Sequence, residues 1–141
     1  MQGIELDFEP YSIICREGDP SNELYYLQSG KLLICTVNGN QVKAITRISP
    51  GEFIGELSFF DGKARSSYVV TLEKSKLIQI QKSEIGPYLP AWYIRVGTSI
   101  TKKIRHLDNI INESKLRRAN SEENKPLTIE EERKLLEHLN N

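Results

Sequence analysis

The sequence predicts a mainly β protein with a C-terminal α part, the β part being a sandwich or an antiparallel jelly-roll barrel. Three observations carry this expectation. The first half consists of short alternating or apolar runs cut by turn residues at Glu17-Gly18-Asp19-Pro20, Ser29-Gly30 and Ser49-Pro50-Gly51, the punctuation of many short strands. Asn38-Gly39 lies between two such runs, which is the strongest short hairpin signal. From Leu89 onward the apolar spacing changes from two to between three and four, the period of a helix.

The elements follow in order. Ile4–Phe8 alternates as a half-buried strand does, and after Pro10 the segment Ile13–Cys15 reads as a short buried strand. Runs 23–28 and 31–37 are strands joined at Ser29-Gly30, and Gln41–Ile48 returns from the Asn-Gly turn. Runs 68–72 and 76–81 close the β part. Then Leu89, Tyr93, Val96, Ile100, Ile104, Leu107 and Ile111 draw one stripe along a long helix over 89–116. Trp92 lies beside the stripe, Ile110 widens it, and Gly97 weakens the helix by about 1 kcal/mol relative to Ala. The first turns of the stripe are expected to pack on the β part. The distal half either stays there or meets a second subunit, giving a homodimer through the 89–116 helix. Residues 115–125 are polar and read as a linker. Thr128-Ile129-Glu130-Glu131 is a capping box after Pro126. It opens a short amphipathic helix to Leu139, with Ile129, Leu135, Leu136 and Leu139 near one face. A helix this short is marginal alone and must dock. The expected organisation is a main domain over 1–118, with strands within 4–81 and helices within 82–118, then a linker and tail helix over 119–141.

A chain of 141 residues suits one domain. Its 19 Lys plus Arg balance 19 Asp plus Glu, which argues against a dominant nucleic-acid footprint, and no direct nucleic-acid binding is expected. Cys15 and Cys35 lack a C-x-x-C partner and read as buried small hydrophobes, fitting a reducing cytoplasm. Residues 1–10 show neither a basic nor an apolar signal region, and no run approaches a membrane span. The only histidines, His106 and His138, lie beyond the β part, so the clustered ligands of a metal enzyme are missing and no metal is expected. No G-x-S-x-G elbow occurs either. An enzyme is therefore not expected.

The chemistry concentrates in 54–70, I-G-E-L-S-F-F-D-G-K-A-R-S-S-Y-V-V. Gly55 permits close backbone approach, and a helical turn starting there would aim free N–H groups, from Gly55 through Leu57 to Ser58, at an anion. Arg65 offers a fork that suits phosphate. Glu56 can accept from sugar hydroxyls. An anion plus a diol is what a nucleotide presents. Taken singly, Glu56 reads as a carboxylate at a helix N-terminus and Arg65 as a surface ion pair, perhaps with Asp61. Their shared frame favours the nucleotide.

Gly55-Glu56-Leu57 followed by Arg65-Ser66-Ser67, with Gly18-Asp19, Leu24-Tyr25-Tyr26 and Ser29-Gly30 upstream, resembles the cyclic nucleotide-binding domain family, and within it the bacterial catabolite-activator sensors. The likeness runs from Phe8 to near Leu116. It implies an antiparallel jelly-roll β-roll with a phosphate-binding cassette inserted between late strands, then a long helix and here a short tail helix. It also implies cyclic AMP or cyclic GMP as ligand. Arg65 would meet the cyclic phosphate, Ser66 would add a hydroxyl, and Glu56 would accept from the ribose 2′-OH. Removing the Arg65 side chain would then cost affinity and little of the fold.

In the family a residue of the long helix covers the base. Catabolite-activator members use a Thr-Ser pair, where this chain has Leu107-Asp108. Arg105, His106 and Asp108 are the polar candidates, and an ordinary solvated face suits each equally, so adenine against guanine stays open. Two further departures are a helical lead-in before Phe8 that is almost absent, and Ala64 in place of the family's frequent Pro. About 25 residues follow Leu116, too few for the helix-turn-helix of family regulators. The expectation is a stand-alone sensor that signals through its C-terminal helix to a protein partner of unknown identity. The alternatives are the sensor part of a transcription regulator, or a ligand-free structural domain of the same fold.

Overall fold

The computed structural model describes residues 3–114 and 127–140, with side chains omitted for 111–114. Eight strands form two antiparallel four-stranded sheets. They are β1 (Ile4–Phe8), β2 (Ile13–Cys15), β3 (Leu24–Ser29), β4 (Leu32–Asn38), β5 (Gln41–Ile48), β6 (Phe53–Ile54), β7 (Tyr68–Thr71) and β8 (Ser75–Ile80). One sheet has the order β1-β8-β3-β6 and the other β2-β7-β4-β5. Between β6 and β7 stands a short helix, α1 (Glu56–Asp61). After the roll come α2 (Lys82–Ile85), a 3-10 turn at Gly86–Tyr88, α3 (Ala91–Ser114) and α4 (Ile129–Leu139). The jelly-roll class and the order of helices agree with the sequence expectation.

The Asn38-Gly39 signal acts as expected. Asn38 pairs with Gln41 and Gly39 adopts φ +61°. Alternation along β4 sends its side chains to two different cores. Leu32 and Ile34 face the other sheet, with Leu27, Ile54, Val69 and Leu77. Leu33 and Cys35 face outward with Val42 and Val70, and Leu135 and Leu139 of α4 cover them.

The tail helix thus docks on the outside of the second sheet. Its capping box is complete, with Glu131 N–H donating to Thr128 Oγ1 at 3.2 Å and Thr128 N–H donating to Glu131 Oε1 at 3.1 Å. Glu132 Oε1 accepts from Val42 N–H on the edge strand β5 at 3.0 Å, blunting an otherwise open edge. Tyr11, held at φ +63°, lies under Lys134 Nζ and beside the His138 ring. One expectation is corrected. Ile129 is 89% exposed, because the first helical position precedes the turn that meets the sheet. The expected linker at 115–125 lies outside the described residues.

A second correction concerns α3. Its apolar stripe does not pack on the roll: Tyr93, Val96 and Ile100 are exposed. The helix seats on α1 instead. A Cβ at Gly97 would overlap the Phe60 ring, so the missing side chain lets the two helices approach. Thr101 is buried, and Arg105 makes a two-point ion pair with Asp61 of α1. The Gly97 that weakens the helix in isolation is therefore the residue that seats it.

Candidate functional site

The site is built on the chain that enters and leaves α1. Gly55 is its N-cap at φ +86°, a left-handed conformation that costs Gly little. Gly55 brings no capping side chain; the Glu56 N–H meets its own carboxyl, the N–H groups of Leu57 and Ser58 lack intrahelical acceptors, and Phe59 N–H reaches Gly55 O at 3.0 Å. Gly62 closes the helix at φ +68°. The loop then runs to Arg65, and β7 carries the chain back into the second sheet.

Arg65 is buried, not a surface group. Its Nε donates to Ser21 Oγ at 3.1 Å, Nη1 to Gly55 O at 3.1 Å and Nη2 to Glu23 O at 2.6 Å. The Glu23 carboxylate lies 3.5 Å from Nη2, and its Oε2 is buried without a hydrogen-bond partner. The Arg65 backbone is fixed as well. Gly18 N–H donates to Arg65 O and Arg65 N–H to Asp19 O, both at 2.8 Å. Asp19 in turn accepts from Arg16 N–H at 2.9 Å. A Cβ at Gly55 would stand 2.5 Å from Arg65 Nη1 and 2.7 Å from Glu23 O. The Gly18-Asp19 turn and Gly55 therefore serve one end, which is to hold a guanidinium beside the start of α1.

Glu56 is the first residue of α1 and is exposed. Its carboxyl nevertheless lies among enough protein atoms that lost hydration raises its pKa above the ordinary carboxylate value. A bond to its own backbone N–H lowers it, Glu52 raises it further, and Arg65 pulls it down. Ser66 is exposed and Ser67 half-buried at the mouth of the same loop, Leu57 is half-buried, and the Ser58 side chain is buried behind the helix. The structure thus brings Gly55, Glu56, Leu57, Ser58, Arg65, Ser66 and Ser67 into one loop-helix unit.

The base-lid candidates do not gather there as a set. Arg105 is committed to Asp61 at the far end of α1, with Nη2 to Oδ1 at 3.1 Å. His106 is exposed and Asp108 half-buried. Asp61 pairs with Arg105, not with Arg65 as the sequence allowed. Burial works to raise the Asp61 pKa, but the Arg105 and Lys63 N–H bonds and their positive charges overcome it and hold the carboxyl below its ordinary range. Sequence reasoning missed Ser21 and Glu23. They sit in the turn cluster after Gly18-Asp19, and no local spacing reveals that they face a residue more than 40 positions away. Among the described residues no group of three or more His, Cys, Asp or Glu side chains could hold a metal, and no helix is long and apolar enough to cross a membrane.

Comparison with known proteins follows the same geometry. The model of the cyclic nucleotide-binding domain matches residues 5–89. The cyclic AMP receptor protein of Thermus thermophilus is 33% identical over 96 residues, covering 65% of this chain and 44% of that protein. The human cyclic nucleotide-gated channel alpha-3 is 28% identical over 115 residues, covering 75% of this chain and 16% of the channel. The chain therefore spans less than half the length of either relative. Among solved structures, Thermus thermophilus catabolite activator protein superposes with a TM-score of 0.63 at 23% identity, over 80% of this chain and 54% of that one. An EAL enzyme in its cAMP-bound form gives 0.66 at 21%, over 79% and 31%. At such identities the superpositions speak for the fold alone. The family match encloses both sheets, α1 and the Arg65 loop, and on that match the chain belongs to the cyclic nucleotide-binding domain family.

Proposed function

We infer that this chain carries a cyclic nucleotide sensor that binds cyclic AMP or cyclic GMP at the α1–Arg65 unit and signals through its C-terminal helix to a protein partner. The observation that carries the reading is the buried Arg65 guanidinium held beside the uncapped start of α1, within the segment that the family model matches. The cyclic phosphate would lie on the N–H groups of Leu57 and Ser58 and draw Arg65 away from Glu23, with Ser66 and Ser67 adding hydroxyls. Glu56 would accept from the ribose 2′-OH. Relatives named for cyclic AMP or cyclic nucleotides support this ligand class. Catalysis is not assigned to this domain, since the matching family is defined by binding. The free thiols of Cys15 and Cys35 support a cytoplasmic setting.

Calorimetric titration with cyclic AMP, cyclic GMP and a cyclic dinucleotide tests the reading. A mononucleotide should bind and raise the melting temperature, because ligand that binds only the folded form stabilises it by RT ln(1 + [L]/Kd), about 2.7 kcal/mol at a hundredfold excess. Absence of heat and of any thermal shift with both mononucleotides would remove the sensor. The likeness to a bacterial receptor protein favours one second reading, the sensor part of a transcription regulator. That reading moves the output from a helix contact to a DNA-binding segment.

A further inference from the structure

Arg65 is the cation of the site, and carboxylates outnumber it. Its guanidinium brings five N–H donors. Ser21 Oγ, Gly55 O and Glu23 O take one each, which leaves a pair for a ligand. The Glu23 carboxylate stands beside it, with Oε2 3.5 Å from Nη2. That is an ion-pair distance without a hydrogen bond, and the buried Oε2 has no other partner among the described residues. The charges felt by Cys15, Tyr25 and Glu56 map the surroundings: Asp19, Glu23 and Glu52 are the carboxylates, and Arg65 is the cation.

A site of this make-up does not suit every phosphate. A phosphodiester carries one negative charge and two unesterified oxygens, which the remaining pair of guanidinium N–H groups can match. A phosphomonoester carries nearly two charges at neutral pH and has three such oxygens. Its second charge would find no second cation. It would also face the Glu23 carboxylate, whose ion-pair partner among the described residues, Arg65, is then shared with the ligand. Like charges at short range in a partly dry site repel strongly, and a repulsion aimed at the wrong ligand is one of the two routes to specificity. Glu56 is less suited to that part, because its carboxyl already meets its own backbone N–H. Glu23 Oε2 has no such bond to spread its charge.

We propose that Glu23 is a specificity residue that fits the site to singly charged phosphodiesters and turns away the doubly charged 5′-phosphomonoester that opening of a cyclic phosphate leaves. This rests on the reading of the α1–Arg65 unit as the phosphate site and adds which phosphates that site admits. A nucleotide whose ring has been opened then competes poorly with the intact cyclic form, through charge as well as through shape.

The test separates charge from ring closure. The full chain is titrated calorimetrically with cyclic AMP and cyclic GMP, with the two 5′-monophosphates, and with the 5′-methyl phosphates of adenosine and guanosine, which are open-chain diesters of one charge. The titrations run at about pH 8, above the second monoester pKa of about 6. For the base that binds, the methyl phosphate should bind about tenfold or more tighter than the monophosphate. Glu23→Gln should narrow that gap by about tenfold. The gap is the readout, because a change in how Arg65 is held moves both open-chain esters together. Glu23→Ser, smaller and also neutral, gives the same reading if the Gln variant does not fold, and a thermal melt of each variant reports folding. Equal affinity of the two open-chain esters for the parent, no measurable binding of either, or a gap that neither neutral variant narrows would overturn the proposal. Cyclic nucleotide binding with any of those results condemns the charge filter alone, whereas a parent chain that binds neither cyclic AMP nor cyclic GMP condemns the sensor and the filter with it.

Discussion

Arg65 and Glu23 hold each other in a small closed account of charge. The guanidinium is buried and donates to Ser21, Gly55 and Glu23, and the Glu23 carboxylate has no other partner among the described residues for its buried Oε2. Arg65→Ala should therefore do more than weaken ligand. It also leaves the half-buried Glu23 carboxylate without its cation, at a cost of about 1–3 kcal/mol, where the sequence alone led to an expectation of little loss of fold. Nucleotide affinity should fall at least about tenfold. Glu23→Ala on top of Arg65→Ala should recover part of the stability and none of the affinity. Chemical denaturation of the four-member cycle, with titration of each, reads both effects. Equal stability of the parent and Arg65→Ala would mean that the pair contributes nothing. Glu56 makes an opposite statement. Its folded pKa lies above the ordinary 4.5, so folding disfavours its charged form. The stability linked to it is present below the unfolded value and lost as pH rises through the folded one. Glu56→Gln should raise stability at pH 7 by less than about 0.5 kcal/mol, with the gain vanishing in acid. A melting series against pH, without ligand, measures it.

At the scale of elements, α1 is the hinge of the molecule's logic. Its first turn faces the proposed anion, and its last residue, Asp61, holds α3 through Arg105. The folded Asp61 pKa is lowered from 3.8, so the pair contributes stability above that value and loses it as pH falls through the folded value. Asp61→Asn should cost about 1 kcal/mol at neutral pH and nothing in strong acid. It should also speed hydrogen exchange over 97–110 before it affects the roll. Unchanged exchange in that segment would show that the pair is ornamental. How far such elements could be read from sequence depends on the range of the interactions that make them. Strands and the Asn38-Gly39 turn follow from neighbours, and so does the Thr128 capping box. The loop-helix unit was legible because Gly55, Glu56 and Arg65 lie within a single short segment. The seat of α3 was not. An apolar stripe promises burial, yet most of the contact went to Gly97 against Phe60 and Arg105 on Asp61, with only Tyr93 of the stripe meeting the Phe60 ring. The sequence offered a surface ion pair as the alternative for Arg65, and its burial was not legible there, since Ser21 and Glu23 reach it only through the closed roll.

On the scale of the whole molecule, the β2-β7-β4-β5 sheet is buried on both faces, by the opposite sheet within and by α4 without. The inner core depends on both sheets. The outer one depends on an eleven-residue helix that meets the sheet through Leu135, Leu139 and the Glu132 contact at Val42. Strand β7, which leaves the Arg65 loop directly, runs beneath that helix. The two cysteines fall one on each side of this division. Cys15 is in the inner core and Cys35 in the outer, and burial pushes their thiols up to about 11 and about 12, which leaves both protonated and inert while covered. The chain therefore carries two clocks that run at different rates. A thiol reagent in excess should modify Cys35 each time α4 lifts, and Cys15 only when the sheets part. Leu135→Ala should quicken the Cys35 clock by about tenfold or more, the labelling counterpart of the cost of a large-to-small change, and leave the Cys15 clock nearly unchanged. Mass spectrometry of the labelled chain against time separates the two, and a single common rate would mean that the tail helix and the roll open as one body.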